Sequence, residues 1–259
     1  MKKYKGFSVA GVIGVIMAVA FLGIASFLVI DGINKSTNYD DYDFYSVIEP
    51  DVHNGNIGDN VKGDPNAPVL IFEYADYQCP GCASINPHVN AAIEKAEGRI
   101  AVVYRSFILP YHQNGTAAAS AANAAALQGY YKAYADKLFS EQSEWEYASS
   151  SERTNLFAKY FMEVSNEEGD LEKFNADLAS ENVSKKNSFD MGIAKRIGVS
   201  GTPSFYIDGQ LIDWSNKDGG SITINNANIT WETNLTYAQF EDILVRIAKA
   251  KLGEDITED

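Results

Sequence analysis

Cys79 and Cys82 are the only cysteines in the 259-residue chain, in the run Gln78-Cys79-Pro80-Gly81-Cys82. Such a pair at the start of a helix puts both sulfurs on one face, within disulfide reach. The first thiol would meet unpaired backbone N–H groups and the positive end of the helix dipole, which favour a thiolate. That placement suits making and breaking a disulfide. The competing use of a Cys-X-X-Cys pair is half of a zinc site. Zinc needs four ligands, and only His53, His88 and His112 could join, none at a ligand-like spacing, so no metal is called for. A strand before the pair and a helix after it favour the redox reading over an incidental pair. Cys79 is then the attacking thiolate, and Cys82, one turn deeper, resolves the mixed disulfide.

The elements around the pair follow from periodicity. Val69–Ala75 reads as an apolar strand entered from the turn-rich 63–68 stretch. Beyond the cysteines, Ile85, Val89, Ala92, Ile93 and Ala96 recur at helical spacing up to Gly98, with Pro87 expected to kink the helix. Arg99–Phe107 is a second strand, so strand, helix and strand form a βαβ unit with parallel strands. The pattern from 114 to 187 is helical: one segment over Thr116–Leu138, and one capped by Ser149-Ser-Ser-Glu152 and carrying Phe157, Tyr160 and Phe161. Two more are centred on Phe174 and on Phe189–Ile197. This block, about 112–187, reads as a helical subdomain inserted into an α/β core. Gly201-Thr202-Pro203 then leads a strand to Ile207, and Asp208-Gly209 marks a hairpin. A polar loop follows, 213–228, with a short strand at Ile222–Ile224. Its Asp213, Asn216 and Asp218 are oxygen donors of the kind such loops usually leave solvated. Thr236-Tyr-Ala-Gln239 caps a final helix, and the acidic tail 253–259 is expected to fray.

Composition narrows the function classes. A net charge of −14 excludes nucleic acid as a partner, because a phosphate polyanion would be repelled. With 46% apolar residues the chain can build a real core. The N-terminus is basic over 1–6, and 7–30 carries no charge, long enough to span a bilayer and longer than a signal peptide's apolar region. The expectation is an uncleaved transmembrane anchor over 7–30. Lys2, Lys3 and Lys5 would stay in the cytoplasm, giving a single-pass cell-membrane protein whose catalytic domain is extracytoplasmic. Residues 31–60 read as a polar linker whose aromatics could instead pack on the domain, and 61–252 as the folded domain.

Three separated signatures carry a family resemblance: Glu73-Tyr-Ala-Asp-Tyr-Gln-Cys79-Pro-Gly-Cys82, Pro87 five residues after the second cysteine, and Gly201-Thr202-Pro203 before a strand. Together they resemble the thioredoxin fold, and the inserted helices resemble the DsbA-like thiol–disulfide oxidoreductases, especially the membrane-anchored bacterial forms. The resemblance implies an α/β thioredoxin fold with an inserted helical subdomain, here preceded by one N-terminal transmembrane helix. It implies that Pro203 is a cis-proline facing the disulfide, and that the backbone of Thr202 pairs with substrate peptide beside Pro80 and Gly81. It also implies that Glu73 is a buried acid able to relay the Cys82 proton. Asp76, in the strand–helix turn, is expected to be exposed, and His88 and His112 are read as surface or packing residues. Gly81 stands where the best-known oxidant of the family has histidine, so the Cys79 thiolate is expected to be less stabilised than in that protein. The implied function is oxidation of cysteine pairs in unfolded exported proteins, with a membrane quinone-linked thiol oxidase as electron acceptor and no organic cofactor. The alternatives are a reductase or isomerase using the same site, and an anchored peptide-binding chaperone.

Overall fold

The computed structural model describes residues 37–214, 218–233 and 235–256. The expected anchor over 7–30 lies outside the described residues, as do Asn216 and residues 257–259 of the acidic tail. Among the described residues no helix is long and apolar enough to cross a membrane. The chain divides into two units, Met1–Asp41 and Tyr42–Asp259. In the first, the described residues make a 3-10 turn, Tyr39–Asp41, in which the Asn38 amide bonds the Asp41 carboxylate.

The second unit is built on a five-stranded sheet. Its strands are β1 (Asn60–Lys62), β2 (Val69–Ala75), β3 (Ile100–Ser106), β4 (Ser204–Ile207) and β5 (Gln210–Leu211), in the order β1-β3-β2-β4-β5. β2 and β3 are parallel, Val69 opposite Ile100 through Ala75 opposite Ser106, and the outer pairings are antiparallel. Both faces of β2 and β3 are covered, which is why their sequences read as nearly unbroken apolar runs. The crossover between them is α1 (Pro80–Lys95). It starts on Cys79 as N-cap and has Pro80 at the first helical position, where a missing N–H costs nothing and the fixed φ suits the helix. α1 runs through Pro87 unbroken.

Between β3 and β4 lie the inserted helices: α2 (Gly115–Ala126), α3 (Tyr131–Ser140), α4 (Gln142–Trp145), α5 (Ser150–Val164), α6 (Leu171–Leu178) and α7 (Glu181–Arg196). The single segment expected over Thr116–Leu138 is two helices. The chain turns at Gly129, whose φ of +84° is left-handed and open to glycine without steric cost. α7 begins at Glu181, earlier than its apolar spacing suggests, because Ser180 caps it by accepting from the Val183 N–H. The expected capping box at Ser149–Glu152 is formed at the head of α5.

After β5 a second, two-stranded sheet forms, β6 (Gly220–Ile224) with β7 (Ala227–Trp231), and α8 (Tyr237–Leu252) closes the chain behind the Thr236–Gln239 capping box. The polar-loop reading of 213–228 therefore needs correction. Ile222, Ile224, Ile229 and Trp231 alternate inward, and Asn225-Asn226, both at positive φ, make the hairpin turn. Two apolar clusters result. One fills the space between the sheet, α1, α8 and the β6–β7 hairpin; the other joins the inserted helices to the cysteines.

The linker reading of 31–60 also fails from Tyr42 onward. Ile48, Asn54 and Ile57 are buried. Tyr42 sits edge-on to Phe189 at 4.9 Å and Tyr45 against Phe72 at 6.1 Å. The polar residues that made this stretch look solvated satisfy its own backbone: Asp51 accepts from the N–H groups of His53 and Asn54, and Asn54 from that of Asp51. Gly55, at φ +71°, passes so close to the Asn182 carbonyl that a Cβ there would collide with it at 2.0 Å.

Candidate functional site

The two thiols lie where β2 hands over to α1, and both are free. Cys79 is 8% exposed and Cys82 is fully buried, so an incoming sulfur can meet only the first. Facing them across the sheet edge is Thr202-Pro203, joined by a cis peptide bond. The Cys79 thiol lies 3.5 Å from the Thr202 carbonyl, its acceptor. A Cβ on Gly81 would meet Pro203 Cδ at 3.4 Å and Cys79 Sγ at 3.7 Å, so Gly81 keeps the approach to the sulfur open. Pro80 and Gly81 form the first turn of α1 beside Pro203, and Pro203 and Thr202 sit on the loop that enters β4.

The surroundings split the two sulfurs. A hydrogen bond from Cys82 lowers the Cys79 pKa to about 5, overcoming burial, with help from the Cys82 and Gly81 N–H groups. Cys82 is pushed well above the usual thiol range, chiefly by burial and then by its bond to the Cys79 sulfur. The absence of a histidine at position 81 thus leaves Cys79 strongly acidified, because its partner thiol and backbone N–H groups supply the donors.

Glu73 is buried on β2, opposite Tyr104 on β3 and Phe205 on β4. Its Oε1 has no hydrogen-bond partner among the described residues. Burial raises its pKa to about 7, with Lys62 pulling it down and Asp136 pushing it up. The Glu73 charge in turn raises the Cys82 thiol, so the two groups sense each other.

Several residues at the site escaped the sequence reading. Asp76 is buried, not exposed, and accepts from the N–H groups of Gln78 and Leu109 and from His112 Nδ1 at 2.8 Å. Two of these donors, Leu109 and His112, come from the loop after β3, which the parallel register brings to the same edge of the sheet as the cysteines. His112 is therefore tied to the active-site loop rather than merely packed. Gln78 and Asn114 continue this lattice. Gln78 accepts from the Asn114 N–H and donates to the Glu146 carbonyl, while Asn114 Nδ2 donates to the carbonyls of Trp145, Glu146 and Ala148. Gln142 of α4 donates to the carbonyls of Tyr77 and Cys79. The inserted helices thus hold the loop that carries the nucleophile. His88 pairs with Glu241 of α8 at 3.1 Å and belongs to the packing of α1 on α8. Among the described residues there is no cluster of His, Cys, Asp or Glu that could hold a metal ion.

Comparison with known proteins agrees with this geometry. A thioredoxin family model matches residues 55–241, well over half of the chain. The chain belongs to the thioredoxin family. Solved structures of similar fold include oxidised BdbD from Bacillus subtilis, at 18% identity and a TM-score of 0.56 over 82% of this chain and 100% of that one. Another is alpha-DsbA1 of Wolbachia pipientis, at 27% identity and 0.52 over 75% and 94%. A third is a thioredoxin-like oxidoreductase from Silicibacter pomeroyi DSS-3, at 24% identity and 0.52 over 74% and 92%. These neighbours are DsbA-like, and the thioredoxin fold with helical insertions is common to them and to this chain.

The curated relatives carry a different name. The Na(+)/H(+) antiporter NhaA 3 of Salinispora tropica is 32% identical over 156 residues, which are 59% of this chain and 22% of that protein. The Na(+)/H(+) antiporter NhaA of Herminiimonas arsenicoxydans is 28% identical over 202 residues, 77% and 30% of the two chains. The chain thus spans less than a third of the curated relatives it matches. The location expected from the sequence, a single-pass membrane protein with an extracytoplasmic catalytic domain, is corrected here. These names do not carry it, and no described helix crosses a membrane.

Proposed function

We propose that the protein is a thiol–disulfide oxidoreductase that oxidises cysteine pairs in unfolded polypeptides. The observation that carries this reading is the split between the sulfurs: Cys79 acidified to about 5 at a reachable helix start, and Cys82 buried with its pKa raised. Stabilising the Cys79 thiolate stabilises the reduced form, and that makes the disulfide form a better oxidant.

In the oxidised enzyme a substrate thiolate attacks Cys79 Sγ, the Cys79–Cys82 bond breaks, and Cys82 leaves, taking a proton from Glu73. The second substrate thiolate then attacks the substrate sulfur of the mixed disulfide. Cys79 departs as a thiolate, and the two electrons now rest on the Cys79/Cys82 pair. The Thr202 backbone and the open face at Pro80, Gly81 and Pro203 hold the peptide as an added strand. For reoxidation Cys79 attacks a disulfide of an electron-accepting thiol oxidase, a quinone-linked enzyme being the class that fits. Cys82 gives its proton to Glu73 and resolves that mixed disulfide. Glu73 suits both directions because a carboxyl titrating near 7 can donate and accept at neutral pH.

The reduction potential of the Cys79/Cys82 couple tests the direction. A value near about −120 mV supports the oxidase, and one near about −270 mV belongs to a reductant and overturns it. Cys82→Ser tests the chemistry itself: the variant should accumulate mixed disulfides through Cys79.

A further inference from the structure

A polar seam leads away from the buried sulfur. Cys82, Asn86 and Asn90 follow one another at four-residue spacing along α1, so they share one face of the helix. Against that stripe lie Lys62 from β1 and Asp136 from α3. Lys62 Nζ donates to Asn86 Oδ1 and, at 2.7 Å, to Asp136 Oδ1. The amides of Asn86 and Asn90 each donate to the same carboxylate oxygen at 3.0 Å. The other Asp136 oxygen accepts from the exposed Lys132 at 3.2 Å. The seam thus runs from a fully buried thiol to a carboxylate that reaches solvent. Glu73, which feels the charges of Lys62 and Asp136 and acts on Cys82, keeps an oxygen without a hydrogen-bond partner among the described residues.

We propose that Lys62 and Asp136 are positioning residues for the thiol chemistry, an ion pair between the sheet edge and the helical insert that sets how readily Glu73 exchanges a proton with Cys82. The ionisable groups around Glu73 are Lys62 from β1, Tyr104 from β3, Cys82 from α1, Tyr131 and Asp136 from α3, and Tyr77 from the loop before α1. The β4 neighbour, Phe205, is not ionisable. Burial pushes the tyrosines and Cys82 up, which keeps them neutral at ordinary pH. Two charges then remain to act on Glu73. Lys62 favours the glutamate anion and Asp136 disfavours it, so together they leave burial in control. Neutralising one unmasks the other, and the two substitutions must act in opposite directions.

This inference rests on the thiol–disulfide reading above and gives Glu73 the proton of Cys82. The test uses full-length reduced protein with glutathione disulfide. The rate at which Cys82 resolves the Cys79–glutathione adduct is read by acid quench and mass spectrometry across pH. The wild-type rate should rise through a midpoint near 7, as Glu73 becomes the proton acceptor. Asp136→Asn should lower that midpoint by about one pH unit and Lys62→Met should raise it by about one, the size expected of a nearby charge in a partly buried setting. The double variant, with both charges gone, should return close to the wild type, and Glu73→Gln should lose the titration. Asn86→Asp adds a carboxylate to the seam without removing a partner of Lys62. It should move the midpoint upward, and it tests the same field if a single charge deletion does not fold. Shifts of the two single variants in the same direction, or none while Glu73→Gln abolishes the titration, would overturn the proposal. A wild-type protein that forms no glutathione adduct would instead sink the thiol–disulfide reading.

Discussion

Two clusters of buried charge lie on opposite faces of the same sheet, and they are finished differently. On the face away from α1, Arg105 of β3 spends its donors on Asp59, on the Tyr74 hydroxyl and on the carbonyls of Phe44 and Ser46. Lys186 of α7 bridges Asp59 at 3.0 Å and Asp190 at 2.7 Å, and Asp190 also accepts from the Ser106 N–H. Asp59, although buried, is held at about 2 by Lys186 and Arg105. Among the described residues, no buried side-chain atom of this group is left without a hydrogen-bond partner. On the α1 face, Glu73 and Tyr104 each keep a buried oxygen without a hydrogen-bond partner among the described residues, and Glu73 is raised to about 7. A saturated cluster locks one arrangement, here the N-terminal segment onto the sheet. An unsaturated one keeps a proton exchangeable beside a thiol, at a cost in stability.

The largest test of this contrast is to break the saturated side. Arg105→Met removes the hub of the network and leaves Asp59 and two backbone carbonyls short of donors. Loss of one partner from a buried pair costs about 3–5 kcal/mol, which denaturant unfolding would read. The reduction potential of the molecules that remain folded should not move, since the sulfurs lie on the other face. A large change in potential would mean the two clusters are coupled.

The opposite sign is expected at Glu73. Its folded pKa, about 7, lies above the ordinary glutamate value of 4.5, so the folded state binds that proton more tightly than the unfolded chain does. The stabilisation is complete below the unfolded value and is lost as pH rises toward 7; above that, the folded protein carries a buried charge. Glu73→Gln should therefore leave stability nearly unchanged at pH 4 and raise it by about 3 kcal/mol at pH 8, while slowing mixed-disulfide resolution. Unfolding curves at the two pH values check it, and equal effects at both would remove Glu73 from the titrating role.

How much of this was legible in the sequence depends on the distance over which each residue finds its partners. The cysteine pair, the strand–helix–strand around it and the capping boxes at Ser149 and Thr236 are local patterns, and they read directly. Asp76 misled because its partners, Leu109 and His112, come from 33 and 36 residues away, across a parallel pairing. The ion pair of Lys62 with Asp136 spans 74 residues, and no local period announces it. β7 is a different kind of miss. The alternation of Ile229 and Trp231 beyond Asn225-Asn226 carried the signal of a hairpin, and the polarity of the stretch hid it. Segment 42–59 was misjudged for the same reason, since side chains that cap their own turns look like solvated ones in composition.

The smallest effect separates finished from unfinished hydroxyls among tyrosines of one cluster. Tyr134 donates to the Phe157 carbonyl at 3.1 Å, whereas the Tyr104 hydroxyl, buried on β3 opposite Glu73, has no hydrogen-bond partner among the described residues. Removing a satisfied buried hydroxyl orphans its acceptor and costs about 1 kcal/mol; removing an unsatisfied one relieves desolvation that nothing offsets. Tyr134→Phe should therefore lower stability by about 1 kcal/mol, and Tyr104→Phe should be neutral or stabilising by a similar amount. Both rings pack within the cysteine-bearing cluster, so the comparison holds aromatic burial constant and varies only the hydrogen bond. Equal losses from both would mean that the Tyr104 hydroxyl is engaged in solution and that the α1 face is as complete as its counterpart. The unsaturated atoms of the site among the described residues would then be those of Glu73, Asn90 and Thr202.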